Sequence, residues 1–189
     1  MANCVITSGL TLNDCINNIP GIDSLWVLTT TGSSISLAGI TYDTSSEKVT
    51  SFTGSTSGEF KKIDLVRNST AAMSEEVNVN TESLSFTFVP TLTFTIPGWN
   101  QEYTLLYQEL VKSTGSIFVV KLKSGNWFLC SPSGLYASAA TVASGSVPGD
   151  SQLYTLTLTG DEVRSIPEMN VATTLSAFLS GSNITVDRE

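Results

Sequence analysis

Residues 84–96 read LSFTFVPTLTFTI, and this stretch decides the fold class. Leu84, Phe86, Phe88, Leu92, Phe94 and Ile96 fall on even numbers, while Ser85, Thr87, Thr91, Thr93 and Thr95 fall on odd ones. A period of two held this long predicts a strand with one apolar, core-facing side and one hydroxyl-covered side. At about 3.3 Å per residue such a strand reaches roughly 40 Å, more than a compact domain needs. Pro90 has no N–H for a ladder, so the strand is expected to bend there or lie at an edge. Val77 and Val79, alternating with Asn78 and Asn80, are expected as the partner strand of the same hairpin.

The flanking sequence extends the β reading. Strands are expected over 24–30 (SLWVLTT), 35–40, 47–53, 59–67 and 152–159, the last with Tyr154, Leu156 and Leu158 on one face. Residues 116–123 and 127–130, joined by Ser124-Gly125-Asn126, read as a hairpin. One helix stands out at about 99–112. Tyr103, Leu106, Tyr107, Leu110 and Val111 follow its apolar spacing, Asn100 suits the N-cap, and Gly115 ends it. Residues 131–150, rich in Ser, Ala and Gly, read as a loose excursion; 171–179 suits either a strand or a short helix. A single β domain over 1–162 is expected, followed by a C-terminal arm over 163–189.

Composition narrows the function. The chain has 189 residues, net charge −8 and no histidine. Over a quarter of it is serine or threonine, which suits strands and turns, while the mean hydropathy of +0.16 opposes a disordered stalk. An acidic chain repels phosphate, so tight nucleic-acid binding through a basic face is not expected. Without histidine the commonest general base and zinc ligand are both absent. No nucleophile elbow, P-loop, zinc-protease or dinucleotide-binding pattern occurs, so no enzymatic activity, cofactor or metal is expected. No run of about 20 apolar residues predicts a membrane helix, and the first residues lack the pattern of a cleaved signal peptide.

The remaining reactive groups have bland readings. Cys4, Cys15 and Cys130 do not form a disulfide framework; buried thiols are expected, with a Cys4–Cys15 bridge as the alternative. The pairs Glu75-Glu76 and Asp161-Glu162 are expected to be solvated charge at loop ends. Trp26, Trp99 and Trp127 are expected in the core. The sequons at Asn68 and Asn183 are what a chain rich in Asn, Ser and Thr produces by chance.

What stands out is architecture. A hydroxyl-faced strand this long fits either a plain solvent-facing sheet or the wall of a channel built from many copies in a ring. On the second reading Ser85, Thr87, Thr91, Thr93 and Thr95 face the channel. Cys4 and Cys15 in the N-terminal segment, with Val171, Leu175 and Phe178 in the arm, reach neighbouring subunits.

Several segments resemble the small virion structural proteins of tailed phages of Bacteroides-group bacteria, including crAss-like phages. They are Asn3-Cys4, Asp14-Cys15, Pro20-Gly21-Ile22 leading to Leu25-Trp26-Val27, and Trp127-Phe128-Leu129 followed by Gly134-Leu135. The last is Gly149-Asp150 leading to Tyr154-Thr155-Leu156-Thr157-Leu158-Thr159-Gly160-Asp161-Glu162. The resemblance runs over about residues 3–162 and implies a tail-tube-like β-sandwich or partly closed barrel with one flanking helix. It implies a homo-oligomeric ring in the virion tail or neck, folded in the host cytoplasm, beside tail, ring or portal proteins. Double-stranded DNA would pass the lumen unbound. The competing expectation is a non-catalytic adhesin-like β-sandwich that recognises glycan or another protein.

Overall fold

In the computed structural model the described residues are 4–5, 11–12, 20–30, 37–54, 57–65, 71–82, 85–98, 100–146, 150 and 152–188. A two-stranded ladder, β1 (Cys4–Val5) with β2 (Thr11–Leu12), stands apart from one large sheet. The sheet begins with β3 (Ile22–Thr30), β4 (Leu37–Tyr42), β5 (Val49–Gly54) and β6 (Gly58–Ile63). The hairpin β7 (Ala72–Asn80) and β8 (Ser85–Pro97) follows, then helix α1 (Gln101–Lys112). After it come β9 (Ser116–Leu122), β10 (Trp127–Ala143) and β11 (Leu153–Thr159). The chain closes with β12 (Glu168–Met169), the single turn α2 (Leu175–Phe178) and β13 (Ile184–Val186).

The strand order is β13-β6-β3-β9-β10-β11-β8-β7, with β12, β5 and β4 attached beside β10. The sheet curls into a half-barrel and makes the molecule mainly β, with α1 on its flank as expected. Curling gives two cores. On the concave side Leu25, Val27, Phe118 and Val120 meet Leu92, Phe94, Tyr154 and Leu156, with Tyr103, Leu106 and Leu110 of α1 packed on them. On the other side Trp26, Ile117, Val119, Trp127 and Leu129 meet Phe52, Phe60, Met169, Leu175 and Ile184. Because successive side chains alternate, β3 and β9 serve both cores at once. The two tryptophans stack at 5.0 Å between centroids; Trp99 lies outside the described residues.

Asn100 caps α1 as its sequence position predicts, its Oδ1 accepting from the Tyr103 N–H at 2.8 Å. Pro90 is tolerated for a clear reason. Opposite β11 it loses a single bond: the Gly160 N–H still donates to the Pro90 carbonyl at 3.1 Å, and the pairing resumes in the same register at Phe88↔Glu162.

Two expectations are corrected. Residues 131–143 are not a loose excursion but the second half of β10, which leaves β9 and runs along β11 from Tyr136 to Ala143. The turn between these pairings has Ser131 at φ 52° and Gly134 at φ 97°. A Cβ on Gly134 would sit 2.7 Å from the Gly115 Cα, so only glycine fits there. The segment from 163 is not a free arm either. β12 pairs with β10 and β5, β13 runs parallel to β6, and Met169, Leu175, Leu179 and Ile184 are buried in the second core. The Trp26 indole N–H donates to the Arg188 carbonyl at 2.8 Å, tying the end of this segment down. Apolar residues too few to form a core of their own are buried here against a sheet face already present.

Candidate functional site

The alternation in β8 is matched by the same alternation in β11. In register the rows are Thr95↔Thr155, Thr93↔Thr157 and Thr91↔Thr159. β10 continues them through Thr141 beside Thr155 and Ala139 beside Thr157, while β7 adds Ala72 beside Thr93 and Ser74 beside Thr91. The Thr93 and Thr157 hydroxyls are hydrogen bonded at 3.3 Å across the strands. None of the residues of β8, β10 or β11 is charged. The result, over β8, β10 and β11, is an uncharged face of small hydroxyls and methyls on the side away from the concave core, bordered by the exposed Tyr136 beside Thr159 and by Glu76 of β7 opposite Val89. Of the residues expected on that wall, Ser85 is exposed and Thr87, Thr91 and Thr93 are half-buried. Thr95 is a correction: at 7% exposure it is buried. Thr155, Thr157 and Thr159, all half-buried, were not anticipated as wall residues, although YTLTLT carries the same alternation as the strand beside it.

Beyond Thr91 the hairpin outruns the sheet. There β8 is held on its inner side by the Gly160 N–H, which donates to the Pro90 carbonyl at 3.1 Å, and by the bridge Phe88↔Glu162. The apolar stripe buried at Leu92, Phe94 and Ile96 continues to Phe88 and Phe86, paired across the hairpin with Val77 and Val79. Phe86, Val77 and Val79 are exposed, Val79 by 67%. The Phe86 and Phe88 rings pack edge to face at 5.7 Å.

The hairpin is anchored by two carboxylates. Glu162 is buried, which corrects the expectation of a solvated charge. Its Oε1 accepts from the Ser131 hydroxyl at 2.6 Å and the Ser133 N–H at 2.8 Å, and its Oε2 accepts from the Ser133 hydroxyl at 3.1 Å. Its backbone exchanges both hydrogen bonds with Phe88, so one residue ties the β10 turn to the root of the hairpin. Glu75 of β7 accepts from the Ser165 hydroxyl at 2.9 Å and the Ile166 N–H at 3.0 Å. A serine beside a carboxylate invites a catalytic reading, but Ser131 is fully buried and has no access to substrate. Cys130 next to it behaves as a small core residue. Burial first, then the Glu162 and Glu75 charges, push its thiol up to about 12. Among the described residues no cluster of His, Cys, Asp and Glu fits a metal, and no helix is long and apolar enough to cross a membrane.

The expected contacts with neighbours are redistributed. Val171, Leu175 and Phe178 belong to the second core: Leu175 is fully buried and the Phe178 ring lies 5.7 Å from Phe52. Leu175 is thus out of a neighbour's reach, while Val171 and Phe178 are half-buried; an apolar tail segment reads the same in sequence whether it covers its own sheet or another's. Cys4 pairs with Leu12 in the small ladder, and Cys15 lies outside the described residues. No family model matches this chain, and neither a curated protein nor a solved structure matches it significantly.

Proposed function

We propose that this chain is a non-catalytic structural subunit of a phage virion, assembling with its own copies into a ring in the tail or neck. The neutral wall of β10, β11 and β8 faces the lumen. The observation that carries this reading is the set of in-register threonine rows of β8 and β11, extended by Thr141 of β10, with no charged residue in any of the three strands. An ordinary solvent-facing sheet mixes in lysine and glutamate, which keep edges and faces soluble. A lumen that double-stranded DNA must pass needs the opposite, since every lysine would hold a phosphate. The net charge of −8 adds weak repulsion over the whole subunit. The hairpin that leaves the domain supplies an apolar surface for neighbours, among them further tail, ring or portal proteins. The protein folds in the host cytoplasm and resides in the virion.

Mass in solution together with electron microscopy of the concentrated protein tests this. Annular particles support the ring; a protein that stays monomeric with and without virion partners contradicts it. Selective micromolar binding on a glycan array would replace it with the adhesin reading.

A further inference from the structure

We propose that two copies of this chain pair edge to edge through β7, antiparallel about a two-fold axis at Asn78, so that their sheets run on into one another. The contact joins copies in pairs and does not rest on the ring reading. It starts from backbone groups. Phe88 exchanges both of its hydrogen bonds with Glu162 on the inner side of β8, so Val77, opposite Phe88, turns its N–H and C=O away from β8. By alternation Val79 does the same, and among the described residues none of these four groups meets a partner. The other edge strands are guarded. β13 has only three residues, and β4 is broken by register shifts at two points and by Gly39 at φ 60°. β7 has nine residues in unbroken register with β8, no proline and no cation, and every residue from Glu76 to Asn80 is exposed. An edge in that state is completed by another strand.

The residues of β7 make it its own complement and select the register. Bonding between the outward groups pairs odd residues with odd ones, which keeps the valines on the Phe86 face and Asn78 on the hydroxyl face in both copies. Turned about Asn78, Val77 lies opposite Val79 of the second copy, and Asn78 lies opposite Asn78. Rows of Phe88, Val77, Val79 and Phe86 then cross four strands, twice over, and cover the apolar area that Phe86, Val77 and Val79 expose in a single copy. Glu75 faces Thr81 and Glu76 faces Asn80, so no two acids are opposed. Moving the axis to Val77 sets Glu75 against Val79, and moving it to Val79 sets Glu76 against Glu82; both registers are poorer. With the axis at Asn78, Glu82 in the turn lies diagonal to Glu76 of the second copy, the nearest approach of like charge that remains.

Asn78→Cys and, as its control, Ser74→Cys are oxidised at high concentration in a Cys4→Ser, Cys15→Ser background. Both positions are exposed on the same face of β7, but only the first meets itself across the axis. Covalent dimers are expected from Asn78→Cys at about ten times the yield of Ser74→Cys. Val79→Pro removes an outward N–H and none that bonds β8. It should weaken pairing about tenfold or more in a light-scattering concentration series, with circular dichroism unchanged. Val79→Thr keeps that N–H and a β-branched side chain, and should pair within about threefold of the wild type. Equal yields from the two cysteines, pairing that survives Val79→Pro, or a wild type that stays monomeric would overturn the contact. A wild type that stops at dimers which Val79→Pro dissolves upholds the contact and tells against the ring reading. Paired rings that Val79→Pro separates into single rings uphold both.

Discussion

Along β9, Ile117 and Val119 point into one core, Phe118 and Val120 into the other, and all four are buried. Along β11, Tyr154, Leu156 and Leu158 are buried, whereas Thr155, Thr157 and Thr159 remain half open. Both strands sit inside the same sheet, so backbone pairing does not distinguish them. The distinction is what covers the second face: for β9 it is β5, β12, α2 and β13, and for β11 none of these. Folding asks only that an uncovered face be polar. It does not ask for neutrality, and this is why a face without charge, on three adjacent strands, points to what the surface meets.

The largest effect should come from the doubly covered half. Trp127→Ala removes one member of the Trp26 stack and opens a cavity in the second core, at a cost of about 3–5 kcal/mol in urea unfolding. Gly134→Ala should follow, because it forces both a positive φ and contact with Gly115; about 2–3 kcal/mol is expected by the same measurement. A small effect at Gly134 would show that the two halves of β10 are only loosely joined.

Glu162→Ala leaves the buried Ser131 hydroxyl and the Ser133 N–H without their acceptor, and should lower stability by about 1–3 kcal/mol. Hydrogen exchange at Phe88 should quicken as well, since Glu162 holds the root of the hairpin. Cys130 gives a pH signature. Its neutral form is favoured in the fold, so its contribution is complete below the unfolded-state pKa, near 9, and is lost as pH rises toward about 12. In that window stability should fall by up to about 1.4 kcal/mol per pH unit more steeply in the wild type than in Cys130→Ala. The same slope in both would show that the thiol is not desolvated. Thr93→Ala on the wall should change stability by no more than about 0.5 kcal/mol, and Thr93→Lys should still fold.

How much was legible follows the same division. The alternation of Leu84–Ile96, the apolar runs of β3 and β9, and α1 with its Asn100 cap announce themselves because local periodicity and burial agree. Residues 131–143 do not, since Ser133, Ser138 and Ala139 carry little apolar signal and are held by the register with β11 instead. β12, α2 and β13 are too short for any period to show. Glu162 looks like surface charge in sequence because the serines that bury it lie about thirty residues away, at a turn its own neighbours do not reveal. The wall was half legible: β8 displayed it, while β11 was read only for the face that builds the core.

Cryo-electron microscopy of the assembled protein tests the central claim most directly. An annular layer with Thr91, Thr93, Thr157 and Thr159 turned toward the lumen is the predicted result. A particle in which that face points outward, or in which the subunit lies outside any annular layer, would contradict it.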